Sequence, residues 1–415
     1  MFEIFENTES EVRSYCRKYP VEFSTAKNAE IFSREGERYI DFLAGAGALN
    51  YGHNNPEIKS AVMEYLSRDS IIHALDMYTE AKEDFLTVFK KDILEPRGLD
   101  YKVMFCGSTG TNAVEAALKL ARKNTGRTNV IAFSGAFHGM TLGSLAMTTD
   151  QTSRQGAGVP LTNVTFVPYG DTMGIEYLKW LLEDDHSGID KPAAVFLETI
   201  QAEGGINVAP VEWLRELREL CTEHGILMVA DDIQVGCGRT GYFFSFERAD
   251  IVPDMVVLSK SISGFGLPMS LLLMRPELDI FKPAEHNGTF RGNQLAFVGA
   301  AAAIRYYNAH DLGAAVQKKG ALVEAYLKDA ICALDERISC RGMGLIWGID
   351  MSGIDKAMAV KVMRACVKRH MIIEVAGRGD SVLKILCPLT IPEDILKEGL
   401  DIIRDAIVEV LKEYK

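Results

Sequence analysis

Two apolar runs in this chain end in residues that could do chemistry. Ile226-Leu227-Met228-Val229-Ala230 stops at Asp231-Asp232, and Met255-Val256-Val257-Leu258 stops at Ser259-Lys260. Short apolar runs bounded by polar or glycine residues read as buried strands. In an open α/β sheet, ligands sit at the carboxyl ends of the strands. Asp231 and Lys260 are therefore predicted to meet one ligand. A desolvated lysine can attack an aldehyde as free amine and form a Schiff base. A carboxylate beside a pyridine nitrogen keeps that nitrogen protonated and makes the ring an electron sink. A plain salt bridge between two strand ends is the competing reading of this pair.

Three further constellations follow predicted strands. Gly107-Ser108-Thr109-Gly110-Thr111 precedes a helix. Free amide hydrogens at a helix start, with small residues allowing close approach, make an anion cup. An ordinary strand-to-helix loop has the same composition, and without a Gly-Lys-Ser/Thr ending this is no P-loop. In Phe133-Ser134-Gly135-Ala136-Phe137-His138-Gly139, an aromatic beside a histidine could stack on a flat ring, or be a core Phe beside a half-exposed His. Glu198-Thr199-Ile200-Gln201-Ala202-Glu203-Gly204-Gly205 holds two acids that need either a basic partner or solvent. Each has a bland alternative, but four such groups at strand ends of one sheet are far more specific than any one.

The elements that must position these residues alternate. Strands are predicted at 101–105, 130–133, 164–168, 193–197, 226–230, 255–258 and 269–274, with helices at 57–66, 80–93, 112–123, 177–183, 211–224 and 294–309. Such alternation predicts an α/β fold: a large domain with a mostly parallel sheet flanked by helices. Before it come a helix over 3–19, with Phe5, Val12 and Tyr15 as anchors, and a hairpin turning at Arg34-Glu35-Gly36-Glu37. After it come helices over 312–334, 356–370 and 392–412, a glycine-punctuated strand over 340–349, and another over 382–386. The predicted division is an N-terminal segment, 1–50, packing with the small domain; a large domain, 51–311; and a smaller C-terminal α+β domain, 312–415.

The chain has 415 residues, 47% hydrophobic and 25% charged, as expected of a globular enzyme with more than one domain. Its net charge of −12 disfavours a nucleic-acid partner. The eight cysteines form no Cys-x-x-Cys pair, so neither a zinc site nor a disulfide framework is expected. No apolar run approaches the ~20 residues of a membrane span. The first residues lack a signal-peptide layout, and the expected location is the cytoplasm.

With these residues in hand, the chain resembles the class III, fold-type I, pyridoxal-phosphate aminotransferases over nearly its whole length. The most specific match is Asp231-Asp232-Ile233-Gln234-Val235-Gly236-Cys237-Gly238-Arg239-Thr240-Gly241 followed by Ser259-Lys260. The resemblance implies pyridoxal 5′-phosphate as cofactor and amino-acid and keto-acid substrates. It makes Lys260 and Asp231 catalytic: Lys260 would form the Schiff base and move the proton, and Asp231 would pair with the pyridinium. Gln234 would contact the phenolic oxygen, and Ile233 and Phe137 would pack on opposite ring faces. Thr109, Gly110 and Thr111 would hold the phosphate, with His138 and Glu198 close to the ring. Thr289 would complete the site of a neighbouring subunit, making the protein a homodimer or higher homo-oligomer.

For the substrate, the resemblance points to Glu203 and to the position of an arginine that is Lys384 here. Lysine is a point charge and cannot offer a carboxylate the bidentate fork of arginine. Asp76 and Tyr78, with His73 and Met77, fall where substrate-side residues lie in the family, although a plain helix connector reads the same way. Asn112 and Thr199 also depart from the family's usual Glu and Pro. A cofactor-binding regulator on the same fold is the rival class. Such a regulator would need a basic nucleic-acid-binding module, for which this acidic chain leaves no room.

Overall fold

The computed structural model describes residues 2–414. Three strands, β1 (Phe23–Lys27), β2 (Glu30–Ser33) and β3 (Arg38–Asp41), form an antiparallel meander. The helix predicted over 3–19 is two pieces, Glu3–Thr8 and Tyr15–Lys18. Phe5, Val12 and Tyr15 are all exposed, so no apolar face is buried to stabilise a longer helix, and short helices without such packing are marginal.

The central sheet takes β4 (Lys102–Gly107), β5 (Val130–Phe133), β6 (Val164–Val167) and β7 (Ala194–Leu197). After β7 the chain makes a short hairpin, β8 (Ile200–Gln201) and β9 (Asn207–Val208), then returns as β10 (Leu227–Asp231), β11 (Met255–Leu258) and β12 (Ser270–Met274). The strand order is β4-β12-β11-β10-β7-β5-β6. Only β12 runs antiparallel to its neighbours, so the sheet is mostly parallel, as the alternation predicted. Every residue of β5, β7, β11 and β12 is buried, which explains why these strands are continuous apolar runs rather than alternating ones. Helices Gly110–Thr125 and Val211–Glu223 each turn an apolar face inward, the second through Trp213, Leu214, Leu217 and Leu220. Each such side chain contributes roughly 1.5–3 kcal/mol of burial.

A third sheet, ordered β13-β14-β17-β16, lies in the C-terminal part: β13 (Ser339–Met343), β14 (Ile346–Asp350), β16 (Glu374–Ala376) and β17 (Val382–Ile385). The strand predicted over 340–349 is thus a hairpin. Gly344 turns it, with φ +53°, at a point where a Cβ would lie 2.4 Å from the Arg239 carbonyl oxygen. Between these strands, β15 (Met371–Ile372) pairs in parallel with β3 and ties the N-terminal meander to this half of the chain.

Arg239 fastens the parts together. It is fully buried, and its guanidinium donates to the carbonyl oxygens of Leu345 (2.9 Å) and Cys387 and to Oδ1 of Asn50 (2.5 Å). All three acceptors are neutral. Burial accordingly lowers its pKa to about 10. Among the described residues, no helix is long and apolar enough to cross a membrane.

Candidate active site

Asp231 and Asp232 close β10 but do different work. Alternation along a strand sends their side chains opposite ways. Asp232 is buried and holds the Ser245 loop, accepting from the Ser245 backbone N–H (2.9 Å) and from its hydroxyl. Burial raises its pKa to about 7 despite those bonds. Asp231 instead faces the cavity that Lys260 also lines. Its Oδ2 lies 2.7 Å from Nδ1 of His138, and its Oδ1 accepts the Ile233 N–H at 3.2 Å. A carboxylate only accepts, so Nδ1 of His138 carries the proton. Burial pulls the His138 pKa down, but the hydrogen bond and charge of Asp231, with the charge of Glu198, outweigh it, and the net shift is upward.

Lys260 enters the same cavity from the end of β11. It sits at φ +51°, a left-handed conformation that costs a lysine energy and marks functional positions. Among the described residues its amine has no hydrogen-bond or ion-pair partner. Burial, the largest influence, lowers its pKa; Lys384 acts with it, while Glu203, Glu374 and Asp231 oppose. This is how a lysine is kept available as free amine.

The loop before Asn50 covers the site from the N-terminal side. Ala44, Gly45, Ala46 and Gly47 hold φ of 48°, 58°, 55° and 87° in succession. Bonds from the site hold the end of this turn: Gln234 Nε2 donates to the Ala46 carbonyl (2.9 Å), and the Ser261 hydroxyl to that of Gly47 (2.6 Å). At the opposite wall, helix Gly110–Thr125 begins. Asn112 reaches back, its Oδ1 accepting from the Thr109 N–H (3.2 Å) and hydroxyl (2.9 Å), so it does the job a Glu or Gln does in a capping box. The Thr111 hydroxyl lies 2.7 Å from that of Thr141 and 2.5 Å from that of Ser144. Gly139 fits against it only as glycine, since a Cβ there would lie 2.5 Å from Thr111 Oγ1.

Gly110, Thr111, Phe137, His138, Glu198, Glu203, Asp231, Ile233, Gln234 and Lys260 all line the cavity; Gly139, Ile200 and Val235, which sequence reasoning did not single out, line it too. Glu198 is buried, accepts the Phe137 N–H at 3.0 Å, and has its pKa raised by burial to about 8. Thr109 caps the helix beside the cavity. Lys384 lies behind Glu203, 2.7 Å away and fully buried. A third member was missed: Glu374, also 2.7 Å from the Lys384 amine. Its signal was a lone acid inside the apolar run Met371-Ile372-Ile373-Glu374-Val375-Ala376.

Asp76 and Tyr78 are not brought to the cavity of this chain. Thr79 caps helix Glu80–Val88 and Lys82 binds the carbonyls of Asp76 and Met77, which turns this loop outward and leaves Tyr78 fully exposed. His73 and Met77 lie on the same exposed stretch, and His73 meets Phe290 edge-on at 5.5 Å. Thr289, next to Phe290, is exposed as well.

The residues present fit a phosphorylated, flat, cationic ring bearing an aldehyde. There is a free amine, a carboxylate held by a histidine, a helix N-terminus for the phosphate, and two buried polar atoms without partners, Gln234 Oε1 and His138 Nε2. Fold and pocket together define a pyridoxal-phosphate-dependent enzyme.

The comparisons refine that class. The family model for class-III aminotransferases matches residues 14–407. The chain is 52% identical to a diaminobutyrate–2-oxoglutarate transaminase of Wolinella succinogenes over 99% of its length and 97% of the relative's. It is 54% identical to one of Streptomyces anulatus over 96% and 95%. Among solved structures, the ornithine aminotransferase of Toxoplasma gondii superposes with TM-score 0.87 at 26% identity, covering 100% of this chain and 95% of that one. An S-selective transaminase from Arthrobacter sp. shares the fold at TM-score 0.88 and 21% identity, over 99% and 98%. The chain belongs to the class III aminotransferases.

Proposed function

We propose that the protein interconverts L-2,4-diaminobutyrate plus 2-oxoglutarate and L-aspartate 4-semialdehyde plus L-glutamate. The observation that carries this reading is identity above one half, along nearly the full length, to transaminases named for that pair. Four motifs quoted from the sequence support it: the run Phe42 to Pro56, Gly110-Thr111-Asn112-Ala113-Val114-Glu115, Ser259-Lys260-Ser261-Ile262-Ser263-Gly264, and Glu285 to Asn293. These resemble the diaminobutyrate-forming enzyme of ectoine synthesis, and the reading places the protein in the cytoplasm.

The bound cofactor supplies the electron sink. The chain supplies the rest. Lys260 would hold the cofactor, and its amine, with its pKa lowered by burial, would move the proton at the substrate carbon. Asp231, oriented by His138, keeps the ring nitrogen charged. The N-terminal amides of helix Gly110–Thr125, with Thr109 and Thr111, hold the phosphate. Phe137 and Ile233 would confine the ring, and Gln234 would contact its oxygen. Glu203 and Lys384 form the substrate end.

The division at residues 50 and 311 belongs to this reading, as does pairing with a second copy. Ile71, Ile72, Leu75, Met77, Tyr78 and Phe290 are all exposed, an apolar collection of the kind that a homo-oligomer covers. Thr289 lies within that stretch and would complete the partner's phosphate site.

A longer diamine is the rival substrate, favoured by the likeness to the ornithine enzyme. Steady-state rates with 2-oxoglutarate and diaminobutyrate, ornithine or β-alanine decide. The reading expects the highest kcat/KM with diaminobutyrate; a preference for ornithine or β-alanine would displace it.

A further inference from the structure

One ammonium, Lys384, lies between two carboxylates, and the two are not equivalent. Glu374 on β16 and Lys384 on β17 are direct cross-strand partners. Both are buried, with side-chain exposures of 5% and 0%. Glu203 approaches the same amine at 2.7 Å, but its side chain is 35% exposed and it lines the cavity that holds Lys260. Glu374 and Lys384 do not line it. Glu203 stands in the turn between β8 and β9 and is followed by Gly204 and Gly205, the latter at φ +112°. Glu374 is thus the fixed counter-ion of Lys384, and Glu203 the one that reaches a ligand.

Charge counting gives the consequence. One ammonium shared by two carboxylates leaves one negative charge in excess. Glu374 is sealed in, so that excess is presented at the cavity wall by Glu203. A buried carboxylate left partly uncompensated attracts a cation. Burial alone would raise the Glu203 pKa, but the adjacent ammonium of Lys384 pulls it well below the usual carboxylate range, so it is ionised near neutral pH.

We propose that Glu374 is a specificity-determining positioning residue: by neutralising Lys384 from behind, it frees the Glu203 carboxylate to bind the α-ammonium of a diamino acid that reacts at its far amine. This rests on the diaminobutyrate reading above. Diaminobutyrate transfers its C4 amine and keeps an α-ammonium that needs an acceptor. 4-Aminobutyrate is the same molecule without that group. Glutamate and 2-oxoglutarate bring a carboxylate to this end of the cavity and meet the same excess charge as repulsion.

The test uses the holoenzyme and the variant Glu374→Gln, which keeps shape and removes the charge. Without it, Lys384 fully neutralises Glu203. KM for diaminobutyrate should rise at least about tenfold, the scale of one charge-assisted hydrogen bond. KM for 4-aminobutyrate should stay within about twofold, and KM values for glutamate and 2-oxoglutarate should be unchanged or lower. Equal rises for all substrates, or no change for diaminobutyrate, would overturn the proposal. If the variant does not fold, the wild type decides. Its KM for diaminobutyrate must lie well below that for 4-aminobutyrate, and equal values would overturn the inference. A wild type that turns over other amino donors but not diaminobutyrate removes the substrate reading itself, and this inference with it.

Discussion

Replacing Asp231 by asparagine isolates the charge that the site is built to hold. The side chain is nearly isosteric and the site is buried, with Asp231 5% exposed, so the change is electrostatic rather than a matter of volume. Asp231 makes a 2.7 Å bond to His138 and is placed to make a second to the ring nitrogen of the cofactor. A hydrogen bond to a charged group contributes about 1.5–3 kcal/mol and a neutral one about 0.5–1.5. Losing the charge at two partners therefore costs roughly 2–3 kcal/mol. In a water-excluded site much of this falls on the transition state, where the ring must accept electrons. The expected loss is about 30- to 150-fold in the rate of the glutamate half-reaction. Single-turnover absorbance of the bound cofactor measures it, with the thermal transition reporting the fold. Loss of the His138 proton is a second signature, since burial alone drives that imidazole neutral. A folded Asp231→Asn variant within about threefold of the wild-type rate would refute the assignment of Asp231.

Three other outcomes are expected. Lys260→Ala should abolish turnover and shift the absorbance of the bound cofactor, without loss of the fold; normal turnover in spectrophotometric assay would sink the role given to Lys260. Glu198, with its folded-state pKa raised to about 8, stabilises the protein below its unfolded value near 4.5 and loses that contribution as pH rises through about 8. Glu198→Gln, which still accepts the Phe137 N–H, should then gain in melting temperature over the wild type as pH rises from about 5 to about 8, with no further gain above it; a margin that shrinks over that range contradicts the assignment. Arg239→Met strands the neutral acceptors on Asn50, Leu345 and Cys387 and should cost at least about 3 kcal/mol in denaturant titration, from roughly 1–3 kcal/mol for each acceptor left unsatisfied; a cost under about 1 kcal/mol would mean the three parts are fastened elsewhere.

What the sequence made legible follows from where the information lies. Strand ends are local: an apolar run that stops at Asp231 or Ser259-Lys260 announces both the strand and the residue it delivers. Pairings that depend on register are not local. Glu374 stands opposite Lys384 because β16 and β17 align in one particular way, and a lone acid in an apolar run says only that some cation must be near. The hairpin at Gly344 read as one strand because its turn is too short to break the apolar pattern. The two N-terminal helical pieces read as one because periodicity cannot tell whether an apolar face finds anything to pack on. Asp76 and Tyr78 were expected at the substrate end, yet their loop is turned outward by the Thr79 cap and Lys82, contacts that positional resemblance does not encode.

The central claim is a transamination in which this cavity passes an amino group between two substrates. The most direct measurement is product stoichiometry from purified holoenzyme given diaminobutyrate, with and without 2-oxoglutarate. The structure predicts glutamate and aspartate 4-semialdehyde in equal amounts over many turnovers when both are present, and at most one equivalent of aldehyde per site without the keto acid. Sustained turnover of diaminobutyrate in the absence of any keto acid would contradict it.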